Sequence, residues 1–183
     1  MDTAVKTTKG KTSIELLLGD ISNQDTEAIV NAANRSLTPG SGVSGAIHSV
    51  AGPELYEACQ KVAPVETGNV VITPGFHLPN PYVFHTVGPF YQGGGPAEST
   101  LLARCYENCL KLAEKNNIRS IAFPSISTGI YGYPKKDAAE IAFSSIKKFA
   151  TGRSTISVIR IVVFDMSSFV IHKKAFKKIF NLK

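Results

Sequence analysis

Two glycine-bearing stretches carry the residue types best suited to chemistry: "LTPGSGVSGAIH", Leu37 to His48, and "PSISTGIYGYP", Pro124 to Pro134. In the first, Gly40-Ser41-Gly42-Val43-Ser44-Gly45 satisfies G-x-G-x-x-G, the spacing with which a dinucleotide fold takes a pyrophosphate. That fold also needs a strand running straight into the glycines and an acidic residue ending the next strand. Neither is present. Nine residues, Ala33 to Ser41, separate "VNA" from Gly42, and the following strand, "NVVIT", ends in Pro74-Gly75. The physical content of the glycines survives. Without a Cβ they let backbone N–H groups approach a ligand, and the helix that opens at Gly45 favours an anion at its N-terminus. The second stretch has the same construction, with Gly129 and Gly132 around Ile130-Tyr131 and Pro134 near the first turn of a helix. Two such loops at one sheet edge could grip a diphosphate from both sides with backbone donors alone.

Polar groups suited to a nucleoside and a sugar surround these loops. Asp20, in "LLLGDI", could accept from an adenine amino group or cap a turn. Asn31 and Asn34, in "VNAAN", offer donor and acceptor for sugar hydroxyls, or brace the loop through Asx turns. Phe164, at a strand end, could stack on a base or pack in the core. His48, His77, His85 and His172 are scattered, and Cys105 and Cys109 have no further ligands in "CYENC". No metal is expected.

These residues must be positioned by alternating strands and helices. Strands are expected at 13–19, 27–33, 69–73, 82–88, in "RSIAFPSI" and in "ISVIRIVVFD". Helical turns are expected at 45–52 and 54–62, and a helix follows Pro96 to Asn116-Asn117. The clearest helix carries Ala138, Ile141, Ala142, Ser145, Ile146 and Phe149 at core-facing spacing. A last helix, capped by Ser168, runs through about Phe180. Long apolar strands alternating with amphipathic helices imply an α/β fold, a three-layer α/β/α sandwich around a mixed sheet. Ligands in such sheets bind beyond the carboxyl ends of the strands, at Asp20, 31–45, 89–95, 125–132 and Phe164-Asp165.

The bulk properties agree with one soluble domain. The chain has 183 residues, 43% hydrophobic and 19% charged, which excludes a disordered protein. No apolar run approaches the roughly 20 residues of a membrane span. "MDTAVKTTKGKTS" lacks the apolar region of a signal peptide, and residues 1–12 are expected as a flexible lead-in. Three cysteines suggest reduced thiols and a cytoplasmic setting. The net charge of +6 is concentrated in lysines such as Lys173, Lys174, Lys177, Lys178 and Lys183. That basic helix is either a solvated face or a contact for nucleic acid, and no aromatics are interleaved in it.

"GDI" (19–21), "AIVNAAN" (28–34), "GVSGAIHSVAGPEL" (42–55), "HTVGP" (85–89) and "FPSISTGIYGYP" (123–134) together resemble the macrodomain family. The nearest branch is the MacroD-type ADP-ribosyl hydrolases and O-acetyl-ADP-ribose deacetylases. The resemblance implies one macrodomain over 13–183, monomeric, with an about six-stranded mixed sheet and no cofactor. Its partners would be ADP-ribose and mono-ADP-ribosylated proteins or O-acetyl-ADP-ribose. By motif position, Asp20 and Ile21 would lie at the adenine, and Asn31 and Asn34 would face the distal ribose. Gly42, Val43, Ser44 and Gly45 would form the first phosphate loop. Ser127, Thr128, Gly129, Ile130, Tyr131 and Gly132 would form the second, and Phe164 would lie near the adenosine. Asn34 and Ser44 are the candidate catalytic residues. Hydrolases of this branch usually carry "GGGVDG" where this chain has "GSGVSG", so Ser44 occupies the position of their catalytic Asp. The resemblance thus leaves a hydrolase and a non-catalytic ADP-ribose reader both open.

Overall fold

A computed structural model describes residues 3–183. The strands are β1 (Ala4–Lys9), β2 (Thr12–Leu18), β3 (Ala28–Ala32), β4 (Val70–Pro74), β5 (Tyr82–Thr86), β6 (Ser120–Phe123) and β7 (Val158–Val163). The helices are α1 (Gly42–Ala51), α2 (Pro53–Gln60), α3 (Pro96–Lys115), α4 (Lys135–Thr151) and α5 (Met166–Phe180). The strands form one sheet in the order β1-β2-β7-β6-β3-β5-β4. The five central strands, β2 to β5 in that order, are parallel, and β1 and β4 are antiparallel edges.

The period of two along each strand divides the apolar residues between two cores. Ala28, Val30, Ile121, Phe123, Ile159 and Ile161 bury into one core, with α3, α4 and α5. Ile29, Ala122, Val162 and Val83 bury into the other, with Ile47 of α1 and Leu55 and Cys59 of α2. These are the three layers expected from the sequence.

Three expectations are corrected. The sheet has seven strands, not about six, because Ala4–Lys9 pairs with β2 instead of forming a flexible lead-in. A tight turn at Gly10-Lys11, with Gly10 at φ 59°, folds this edge strand back, and Val5 packs on the core. The expected lead-in's first two residues lie outside the described residues. Helix α1 begins at Gly42, three residues before the expected start, so the first-loop residues are themselves its first turn. The cap of α5 is Asp165, whose carboxylate accepts from Ser168 N at 2.8 Å; Ser168 is not the cap.

The turn after β2 is anchored from the sheet. Arg160 on β7 donates to Glu15 on β2 at 2.8 Å, to Asp25 at 2.7 Å and to Gln24 at 3.0 Å. Gln24 in turn donates to the carbonyl of Asp20 at 2.6 Å. Arg160 and Glu15 side chains are only 13% and 19% exposed, so this pair is more than a surface ion pair. Replacing Arg160 with Met should cost about 2 kcal/mol, the scale of lost charge-assisted bonds in a partly buried setting. Urea unfolding with an unchanged slope and a lowered midpoint would show it; an unchanged midpoint would mean that the Arg160 bonds add nothing to stability.

Candidate functional site

Because β2, β7, β6, β3 and β5 are parallel, the loops following all five gather at one edge. There they enclose a cleft of about 300 Å³. Gly42, Val43 and Ser44 line it from the start of α1, and Ser127 to Tyr131 line it from the loop after β6. Asn34 contributes from the β3 side and Phe164 from the β7 side.

The first wall is a helix N-terminus. Ser41 caps α1 without any side-chain hydrogen bond, so the opening N–H groups have no intrahelical partner and no cap. Gly45 is required by packing: a Cβ there would lie 2.6 Å from the Gly40 carbonyl. Ser44 is 6% exposed, and its Oγ has no partner among the described residues.

The second wall is a shaped loop. Ser127 takes φ 65°, and its carbonyl accepts from Tyr133 N at 2.9 Å. Its Oγ is also buried without a partner. Gly88 packs so closely that a Cβ there would overlap Ser127 Oγ. Thr128 Oγ1 donates to the Ser125 carbonyl at 2.8 Å, and Gly132 N donates to Gly129 O at 3.0 Å. Around Gly129 a Cβ would meet nothing within 4 Å, so its face is open space.

The other expected residues are distributed unevenly. Phe164 is 80% exposed and lines the cleft, so it is not a core residue. Asn34 lines the cleft and braces its loop at the same time. Its Nδ2 donates to Thr38 O and Oγ1, both at 3.0 Å, and its Oδ1 accepts from Thr38 N at 3.1 Å. Asp20 is exposed and caps the turn Ile21–Asn23, accepting from Ser22 N at 2.8 Å and Ser22 Oγ at 2.7 Å. Asp20 and Ile21 stand just beyond the Phe164 side, where Gly19 N bonds Val163 O at 2.9 Å. The Ile21 side chain is in the core, and Gly45 and Gly132 support the loops without lining the cleft.

Asn31 departs most from expectation. It is 1% exposed and absent from the cleft wall, and its Nδ2 donates to His85 Nδ1 at 3.2 Å. His85 Nε2 bonds Thr73 Oγ1 at 2.9 Å and lies 3.6 Å from Cys59 Sγ. Burial, with the nearby His48 charge second, lowers the His85 pKa to about 3. Burial also lowers His48 and raises the Cys59 thiol to about 11. This is a neutral polar cluster inside the second core.

Lys135 was not anticipated. It lines the cleft as the first residue of α4 and pairs with Asp165 at 3.6 Å. Bonds from Ser167 and Ser168 hold the Asp165 carboxyl well below the usual range, with Lys135 assisting. A cation at a helix N-terminus opposes the helix dipole, and that was the available signal for an anionic neighbour.

The Macro domain family profile matches residues 30–142. The chain belongs to the Macro domain family. An O-acetyl-ADP-ribose deacetylase of Klebsiella pneumoniae is 47% identical over 164 residues, covering 87% of this chain and 94% of that protein. The Oceanobacillus iheyensis macrodomain solved with ADP superposes with a TM-score of 0.94 at 40% identity, over 97% of each chain. The Trypanosoma brucei macrodomain solved with ADP-ribose gives 0.82 at 38% identity, over 88% of this chain and 68% of that one.

The burial of His85 predicts an acid-dependent loss of stability. Burial lowers the folded His85 pKa to about 3 from the 6.5 of a free imidazole, so between these values the unfolded chain binds more protons. Stability is therefore full above about pH 6.5 and falls as pH drops toward 3, by up to about 1.4 kcal/mol per pH unit for this one group. A His85→Gln variant should be less stable at pH 7 and show a shallower loss between pH 6 and 4 in urea titrations. An identical slope in the two proteins would remove His85 as the cause.

Proposed function

We propose that this macrodomain binds ADP-ribose across the cleft and hydrolyses mono-ADP-ribosyl esters on proteins or O-acetyl-ADP-ribose. The observation that carries the reading is the pair of backbone walls lining one cleft, α1's uncapped N-terminus and the open loop at Gly129. N–H donors of this kind can hold a diphosphate. Asp20 and Phe164 sit at the β2–β7 side, for the adenosine. Asn34 and Ser44 sit at the β3 side, for the distal ribose. The domain spans residues 13–183 together with the added strand β1, and acts as a cytoplasmic monomer.

Mechanism follows from which groups can move a proton. A water lies between the distal ribose and a phosphate oxygen. Its oxygen bonds to C1″ of a protein-linked ribose, or to the acyl carbon of the acetyl ester. In the first case its proton passes to the phosphate and the C1″–O bond breaks, releasing the carboxylate; in the second the acyl C–O bond breaks and the phosphate returns the proton to the departing ribose oxygen. Ser44 Oγ, buried at the cleft, reaches that water by a change of rotamer, and as an unactivated hydroxyl it is too weak a base at neutral pH to deprotonate it. Asn34 is already oriented by Thr38, whose Oγ1 contact to Asn34 Oδ1 is the longest of the set at 3.3 Å. A ribose hydroxyl replaces that contact most readily.

Ser44 also favours a second reading, a reader that binds without cleaving. The nucleic-acid reading has less behind it. Among the lysines near the C-terminus, Lys178 donates to Glu140 at 2.8 Å and Lys147 donates to Ile179 O at 2.6 Å.

The wild-type protein is expected to release ADP-ribose from an auto-mono-ADP-ribosylated substrate above a heat-killed control. Ser44→Asp should raise that rate by about 10²–10⁴-fold by restoring a general base. Calorimetric binding of ADP-ribose with no release by the wild type would sink the hydrolase and keep the reader. Gly129→Glu, which folds into open space, should abolish ADP-ribose binding by placing a carboxylate at the diphosphate. Unchanged affinity would refute the two-wall site.

A further inference from the structure

The three most exposed large apolar side chains among the described residues are Ile130, Phe164 and Phe90, at 85, 80 and 58%. All three stand on loops that leave the sheet at its carboxyl edge, after β6, β7 and β5. Ile130 and Phe164 line the cleft. Phe90 stands outside the lining, and the proposed reaction does not use it.

Phe90 is nevertheless held in place. Its ring stacks on Tyr131, with centroids 3.8 Å apart and planes 29° apart, and Tyr131 does line the cleft. The segment carrying it is tied on both sides. Tyr91 N donates to Tyr131 O at 2.9 Å. The Glu98 carboxylate accepts from Gln92 N and Gly94 N, both at 3.0 Å. The Tyr91 ring meets Tyr133 edge-on at 5.2 Å. An aromatic ring kept largely in water on a fixed loop beside a cleft has the character of a binding anchor.

The sheet order identifies what it would touch. β6 lies between β7 on one side and β3 and β5 on the other, so the loops carrying Phe164 and Phe90 leave the sheet on opposite sides of the β6 loop, and the Phe90 ring leans over that loop's Tyr131. With the adenosine at Phe164 and the distal ribose at Asn34, whatever is bonded to the ribose emerges on the β5 side. An acetyl group ends within a bond or two of the ribose. A modified side chain continues into a polypeptide that has to leave the cleft there.

We infer that the Phe90–Tyr131 stack is the contact surface for the polypeptide carrying the ADP-ribose, and that this macrodomain favours protein-linked ADP-ribose over the small acetyl ester. This rests on the ADP-ribose reading above. The apolar, aromatic character of the stack favours apolar residues flanking the modified one.

The test compares two ligands on wild-type protein and Phe90→Ser by calorimetry. One ligand is free ADP-ribose. The other is a short peptide carrying ADP-ribose on a glutamine side chain, an amide analogue of the glutamyl ester that resists cleavage. The wild type should bind the peptide more tightly than the free ligand. Phe90→Ser should lose about tenfold for the peptide, the scale of one aromatic anchor, and less than about twofold for free ADP-ribose. Phe90→Tyr should restore the peptide's advantage. Equal affinities in the wild type, or equal losses for both ligands in Phe90→Ser, would overturn the inference and leave the ADP-ribose reading standing. Failure of the wild type to bind free ADP-ribose would overturn the reading itself, and the inference with it.

Discussion

The close approach of Gly88 to Ser127 is the contact on which the cleft depends. Residue 88 follows β5 and residue 127 follows β6, and these strands are not neighbours: β3 runs between them. Only a missing Cβ lets the two loops meet above the end of β3. Once they meet, Ser127 is held in its left-handed conformation, and its carbonyl is satisfied by Tyr133 N. The turn from Ser127 to Gly132 then opens toward α1. The chain leaving β3 is held at the same place, with Ala33 N bonded to Thr86 O at 2.9 Å. One side wall and the floor of the cleft therefore share a single steric origin.

The wall opposite is rigid for a different reason. Its residues belong to a helix, so their geometry is fixed by hydrogen bonds further along α1, and the first N–H groups are left for a ligand. Both walls offer backbone donors without side-chain charge, and Lys135 supplies the nearby cation. An anion held this way is recognised by shape and dipoles as much as by charge, which suits a diphosphate bridging two sugars.

Much of this was legible in the residues, and the failures have physical causes. The α4 stripe and the uncharged strands could be read because burial on a regular element imposes a period. The two loops could be read because glycines gathered just ahead of a helix start leave backbone N–H groups open to an anion. Asn31 and Asn34 could not be separated by type, since both offer the same groups. Strand register separates them. Asn31 sits two residues after Ile29, so it shares the face that packs on α1 and α2, whereas Asn34 lies past the strand's end. β1 was missed because "AVKTTK" is a polar edge whose order comes from pairing with β2, a non-local gain that no window of six residues contains. The segment 89–95 could be singled out by its place after a strand, but nothing in "GPFYQGG" shows that the Phe90 ring would be held on Tyr131, which is distant in sequence.

Ser44 decides how the same architecture divides between binding and chemistry. A carboxylate at this position would give the water a base, and it would also set a negative charge close to a diphosphate. Two unit charges about 5 Å apart interact by about 3 kcal/mol at an effective dielectric near 20, and a partly desolvated cleft screens them no better. Serine removes that repulsion and the base together. The buried, unpartnered Oγ of Ser44 retains the ability to hold a water or a ribose hydroxyl. On the proposed reading, Ser44 in place of that carboxylate favours the complex over its turnover. On the same reading, the Phe90–Tyr131 stack would select among modified proteins by contacts beyond the ribose.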